Sequence, residues 1–268
     1  VASCVLEFCI SPLRGWRFQI SSVCGFFIYL GFTNFFIKRF ITRLKPLYTA
    51  AFVLFGFLCF QGPMRIFFFT GTLISFPDFL AHLLGILAGY WFYKRHTAFY
   101  KAMLTISTLS VLFLGFYGYD LWIYNLNYGT FDGNVHMKGP QTIVLKNKDN
   151  HKFNLQKGKY TVMDFWFIGC GACLNEFPEF QKVYSQYKNN SQIQFYSVNV
   201  PGGRDQGEDP FNYLLQFGYN FPMVVSADST LPGQLQISGY PTIFILDQNG
   251  DVIYKGDAKG LPKVLSGL

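Results

Sequence analysis

The sequence predicts a multi-pass α-helical membrane region followed by an α/β domain. Three observations predict it. Half of the 268 residues are hydrophobic and 32 are Phe, while 14% are charged; a single soluble domain does not carry that balance. Long apolar runs fill the first 125 residues, and from residue 141 the pattern turns into short elements split by polar turns. The formal net charge of +7 lies wholly in the first half. Residues 1–130 hold ten Lys/Arg and three acids, whereas residues 131–268 hold twelve of each sign. A nucleic-acid-binding domain carries its basic stripe on its own folded part. The expected partner of the basic half is therefore the lipid bilayer, with no nucleic acid.

Four apolar runs cover about 18–37, 46–60, 66–92 and 102–124. A span needs roughly 20 apolar residues. The second run reaches that length only with its flanks. The third is interrupted by Pro77-Asp78, which predicts a kinked helix or two segments around a turn. Lys38, Arg39, Arg43 and Lys45 crowd one loop, and Lys94, Arg95 and Lys101 another. Cytoplasmic loops collect such residues, so the spans alternate and the C-terminal domain is expected outside the cytoplasm of a cell inner (plasma) membrane. The first residue is Val, and residues 1–12 are apolar enough to be the tail of a preceding span. The expected organisation is a transmembrane region over 1–125, a linker rich in Asn, Gly and Asp over 126–140, and a domain over 141–268.

Within the third run, Asp78-x-x-Ala81-His82-x-x-Gly85-x-x-x-Gly89 resembles the last core helix of rhomboid intramembrane proteases, where the His is the general base. Glu7 and Gly15-Trp16-Arg17 are similar to a rhomboid loop. The chain has no Gly-x-Ser-Gly setting for a nucleophile, so protease activity is not expected and His82 reads as a buried packing residue. Gly85 and Gly89 predict close helix packing. Cys4, Cys9, Cys24 and Cys59 read as small apolar residues rather than as a membrane electron relay of the DsbD kind.

In the second half, Thr142–Leu145 and Lys152–Leu155 predict two strands around a polar turn. Tyr160–Phe167 is a buried strand that ends at Gly169-Cys170. A helix follows over about 171–188, a second apolar strand over Ile193–Val200, and a helix near 209–217. Thr242–Leu246 and Val252–Tyr254 flank Gln248-Asn249-Gly250, a hairpin signal. Strands alternating with helices predict an α/β sheet.

The segment from Asp164 to Pro178, with Trp166, Cys170-Gly171-Ala172-Cys173, Glu176 and Pro178, resembles the active-site stretch of thioredoxin-fold proteins. Its Cys-x-x-Cys-x-x-Glu-x-Pro continuation is similar to the TlpA/ResA-like branch of membrane-anchored extracytoplasmic reductases. Gly239-Tyr240-Pro241-Thr242 falls where that fold places its cis-proline loop. Val144–Lys159 resembles the branch's N-terminal hairpin. The resemblance covers about 138–260 and implies an α/β thioredoxin-like domain. Two departures bear on the redox potential: Gly169 stands where the family has Trp, and Gly-Ala lacks the common Pro.

The start of a helix favours an anion at Cys170 through its free N–H groups and dipole, which makes its thiolate the nucleophile. Cys173, one turn on, resolves the mixed disulfide. The resemblance makes Asp164 the buried acid that takes the Cys173 proton, with Glu176 a second candidate. It also sets Pro241 beside the disulfide. Tyr240 is a candidate for contact with the substrate backbone, and Trp166 a candidate on the substrate side or as core support. Plainer readings stand beside these: a structural disulfide, a dipole-complementing Glu176, a packing Tyr240. Zinc would need a second ligand pair, and His82, His96, His136 and His151 offer no suitable spacing. The expected activity is thiol–disulfide exchange, as a reductase of extracytoplasmic protein disulfides. No cofactor is expected beyond the redox-active disulfide, and a membrane or thioredoxin-type electron donor is implied. The alternatives are a non-catalytic scaffold and a peroxiredoxin-like peroxidase.

Overall fold

A computed structural model describes residues 2–140, 142–202, 207–228 and 230–268, without the side chains of Ala2, Cys4 and Trp16. The chain divides into two compact units at Leu126/Asn127. The reading of Cys4 lies outside the described side chains.

The first unit is helical: α1 (Ala2–Trp16), α2 (Phe18–Phe40), α3 (Pro46–Phe67), α4 (Phe69–Thr72), α5 (Phe76–Tyr93), α6 (Ala98–Phe113) and α7 (Tyr119–Tyr128). Four stretches are long and apolar enough to cross a membrane: Phe18–Phe40, Pro46–Phe67, Phe69–Tyr93 and Ala98–Tyr128. The second run thus gains its length from its flank. The expected break at Pro77-Asp78 lies elsewhere. Pro77 sits in the first turn of α5, where a missing N–H costs little. The chain breaks instead at Phe68 and at the 3-10 turn Leu73–Ser75. Carbonyls loosened by that turn need donors. Arg65 donates to the Thr72 and Ser75 oxygens, Trp122 Nε1 to Leu73 at 2.8 Å, and the Tyr119 hydroxyl to Ile74 at 2.6 Å.

Gly85 and Gly89 bring α5 against α2: a Cβ at either would collide with Phe26 or Thr33, and one at Gly25 would strike the His82 ring. Residues 25, 26 and 33 of α2 thus meet 82, 85 and 89 of α5, so the two helices run parallel. Ser3 meets Val53, and Glu7 meets Gln61, so α1 runs parallel to α3.

Polar groups gather at the centre of this unit. Arg14 donates to Asp78 and to Glu7, each at 2.6 Å. Gln61 donates to Glu7 at 2.6 Å, and His82 Nδ1 lies 2.8 Å from the other Glu7 oxygen. Glu7, Asp78 and His82 are fully buried. His82 is therefore more than the expected packing residue. It belongs to a network that ties α1, α3 and α5 together.

The second unit holds β1 (Asn134–Met137), β2 (Leu145–Lys146), β3 (Lys152–Phe153), β4 (Tyr160–Trp166), β5 (Ile193–Asn199), β6 (Met223–Ser226), β7 (Thr242–Leu246) and β8 (Val252–Gly256). Its helices are α8 (Gly171–Tyr187), α9 (Pro210–Leu215), α10 (Leu231–Gln234) and α11 (Leu261–Leu265). The sheet order is β1-β8-β7-β4-β5-β6-β2-β3. β4 lies centrally, parallel to β5 and antiparallel to β7. The region expected to be a plain linker contains β1, which pairs with β8. The two early strands are shorter than expected. Side chains alternate across β4: Met163 and Phe165 join one core layer, Val162 and Trp166 the layer that holds α8. Asp164 shares the parity of Val162 and Trp166, so it faces the α8 side.

Candidate active site

β4 ends at Trp166, and the chain turns over Phe167-Ile168-Gly169. The Cys170 amide donates to the Phe167 oxygen at 3.2 Å. Gly169 has φ +81°, a left-handed conformation that glycine adopts without a side-chain clash. This turn sets Cys170 as the residue that caps α8, and its Sγ accepts from the Cys173 amide at 3.1 Å. Cys170 and Cys173 form a disulfide with Cα atoms 5.3 Å apart. Cys170 is 6% exposed and Cys173 fully buried. Both are buried, Cys170 the less deeply.

The other wall comes from β7. Pro241 follows Tyr240 through a cis bond and leads directly into the strand. Thr242 pairs with Phe165 near the end of β4, so the register puts Pro241 at the cysteine end of the sheet. The Thr242 hydroxyl closes the loop by donating to the Gly239 oxygen at 2.7 Å. Tyr240 stands edge-on to Phe167 at 5.4 Å, and both pack on the cluster that contains the two cysteines. Tyr240 is half-buried. Trp166 lies deeper. It is fully buried, edge-on to Phe177 at 5.5 Å and stacked on Tyr213 at 6.1 Å. Its bulk fills the floor under the helix start, so it is core support.

Two acids lie on the buried side. Asp164 is fully buried, and neither carboxylate oxygen has a hydrogen-bond partner among the described residues. Burial, reinforced by Glu176, pushes its carboxyl well above the usual range. Glu176 sits one turn after Cys173 on α8, and spacing of three puts both on one helix face. Burial lifts Glu176 to about 7; Asp257 adds to the rise, while the Ala258 amide and Lys259 oppose it. Glu176 Oε1 accepts from the Ala258 N–H at 2.5 Å, and Oε2 has no partner among the described residues. Buried polar atoms normally find donors; among the described residues, fully buried Asp164 and half-buried Glu176 keep three oxygens open. The Ala258 amide was missed in the sequence, where a backbone donor leaves no mark.

Residues 158–252 match the family model described as Thioredoxin-like. The C-terminal half carries a thioredoxin-like domain. Among curated proteins, the thiol-disulfide oxidoreductase ResA of Bacillus subtilis is 29% identical over 115 residues, which cover 41% of this chain and 60% of that protein. The sporulation thiol-disulfide oxidoreductase A of the same organism is 24% identical over 114 residues, 42% of this chain and 68% of that protein. Among solved structures, StoA from Bacillus subtilis aligns with a TM-score of 0.36 at 23% identity, over 46% of this chain and 98% of that one. A thiol:disulfide interchange protein from Bacteroides sp. aligns at 0.41 and 23%, over 48% and 88%. The chain spans about 60% of the length of ResA.

Proposed function

We propose that this protein is a membrane-anchored thiol–disulfide oxidoreductase that reduces extracytoplasmic protein disulfides through Cys170 and Cys173. The observation that carries the reading is a cysteine pair at a helix start, its inner member one turn from a carboxyl with an open oxygen. A structural disulfide has no use for unpartnered acids. A binding scaffold has no use for both thiols.

In the reduced protein, the Cys170 thiolate attacks a substrate disulfide. The new S–S bond joins Cys170 to the substrate, and the first substrate sulfur leaves as a thiolate. Cys173 then gives its proton to Glu176, and its thiolate attacks Cys170 Sγ. The second substrate thiolate leaves, and the Cys170–Cys173 disulfide of this structure remains. Two electrons pass to the substrate, so a membrane or thioredoxin-type donor must return two. Asp164, the more deeply buried acid, is raised well above the ordinary carboxyl range by burial and by Glu176. Glu176, steadied by an amide, is the one that ionises near neutral pH.

The first unit supports the anchoring. Phe27, Phe35, Phe52, Phe55, Phe60 and Phe67 face outward and are exposed. In water they would form an adhesive patch; in lipid they are at home. Because α2 and α5 run parallel, Lys38 and Arg39 lie at the same end as Lys94 and Arg95. That end is cytoplasmic by the charge rule, and α6 with α7 returns the chain to the opposite side before the thioredoxin-like domain.

Cys173→Ser tests the reading: it leaves Cys170 to attack with no sulfur to resolve the product. The variant should accumulate mixed disulfides with extracytoplasmic proteins, and Cys170→Ser should accumulate none. A Cys173→Ser variant that traps nothing counts for the scaffold.

A further inference from the structure

The donor that steadies Glu176 is a backbone amide, and its position is set from elsewhere. Ala258 belongs to the turn Asp257–Gly260, which follows β8. The fully buried Tyr254 donates from its hydroxyl to the Asp257 carbonyl oxygen at 2.7 Å. The Gly260 amide donates to the Asp257 carboxylate at 3.1 Å. Tyr254 itself is confined between two glycines. A Cβ at Gly133 would run into its ring, and one at Gly260 into its hydroxyl. Tyr254 and Ala258 belong to the same core cluster as Cys170 and Cys173. A rigid strut therefore runs from the centre of β8 through the turn to Glu176.

We propose that Tyr254, acting through the turn Asp257–Gly260, is the positioning residue that makes Glu176 the carboxyl that receives the Cys173 proton. This rests on the exchange reading above. An N–H aimed at one carboxylate oxygen favours the ionised form and holds the side chain in one arrangement, leaving the second oxygen to accept. Asp164 has no such donor. The two acids are told apart by the turn, not by their own chemistry. The charged or titratable groups coupled to Glu176 are Asp164 from β4 and Asp257 and Lys259 from the turn; Cys173 lies one turn before it on α8 and titrates only in the reduced protein.

The test uses the full chain in detergent, pre-reduced and mixed with a disulfide-bonded peptide between pH 5 and 9. The wild type should show a rate that rises with pH through about 7, the value to which Glu176 is lifted. Tyr254→Phe keeps the ring and removes the hydroxyl. The Asp257 carbonyl loses its donor, the turn slackens, and the weakened Ala258 N–H bond to the Glu176 carboxylate should move that rise upward by about one pH unit. Gly260→Ala, which displaces the hydroxyl, should move it the same way, and it serves as the readout if Tyr254→Phe does not fold. In a Glu176→Gln background, Tyr254→Phe should add no shift. A lower melting temperature with an unmoved pH profile overturns the positioning role, as does an equal shift in the Glu176→Gln background. A wild type that exchanges nothing overturns the oxidoreductase reading instead.

Discussion

Each unit turns two acids away from water, Glu7, Asp78 and Asp164 fully buried and Glu176 half-buried, and the units treat them in opposite ways. In the helical unit, Glu7 and Asp78 meet Arg14, and Glu7 also meets Gln61 and His82. In the thioredoxin-like unit, among the described residues, Asp164 meets no donor and Glu176 a single amide. Burial of a charge is costly unless it is paired. The first arrangement removes that cost and fixes helices to one another. The second keeps it, and what the open carboxyls gain is readiness to take a proton. A paired acid is a joint; an unpaired one beside a sulfur is a reagent.

The largest effect should come from breaking the joint. Arg14→Ala strands Glu7 and Asp78 in the helical unit, and removal of one partner from a buried ion network costs about 3–5 kcal/mol. Thermal unfolding in detergent measures it; a loss below about 1 kcal/mol would mean that water already reaches the network. Removing the reagent should act on rate. Glu176→Gln should slow release of the mixed disulfide about 100-fold at pH 7, the lower range for a lost general base, and abolish the rise through about 7. Stopped-flow measurement of the second substrate thiol reads this directly.

A third prediction concerns pH and stability. Glu176 binds its proton more tightly folded than unfolded, its value rising from the ordinary 4.5 to about 7. The folded state therefore holds more protons between those values, and stability falls as pH climbs through that window. Its stabilising contribution is complete below about 4.5 and gone above about 7. The fall in the oxidised protein should be about 3 kcal/mol across that window, and Glu176→Gln should flatten it. Asp164→Asn should remove a further alkaline loss, since Asp164 is also raised. The smallest effect belongs to exposed Lys259, which opposes the rise of Glu176. Lys259→Gln should move the pH–rate limb upward by about 0.3 units at low salt and less at high salt.

The thiol site was legible because its parts are local or strand-coded. Cys170 and Cys173 sit one helical turn apart, Asp164 shares the parity of Trp166, and Tyr240-Pro241 precedes a clear strand. Trp166 was only half legible: sequence proximity to Cys170 suggested contact, but strand alternation turns it inward. The joint in the helical unit was illegible because its partners on different helices lie 54 to 75 residues apart. Nothing in the sequence marks the pairing of Arg14 with Glu7 and Asp78. The Pro77 break was misplaced because proline disturbs a helix interior and not its first turn. β1 escaped notice because an edge strand of four residues in an Asn-, Gly- and Asp-rich segment carries little apolar pattern.

The most direct test of the account is the reduction potential of the full chain, taken by equilibration with defined thiol buffers at pH 7. The account predicts one reversible two-electron couple, lost in Cys170→Ser, near or below about −250 mV, in the range of a reductant such as thioredoxin. A couple near about −120 mV would contradict the reductase direction, and no reversible couple would contradict the thiol–disulfide chemistry itself.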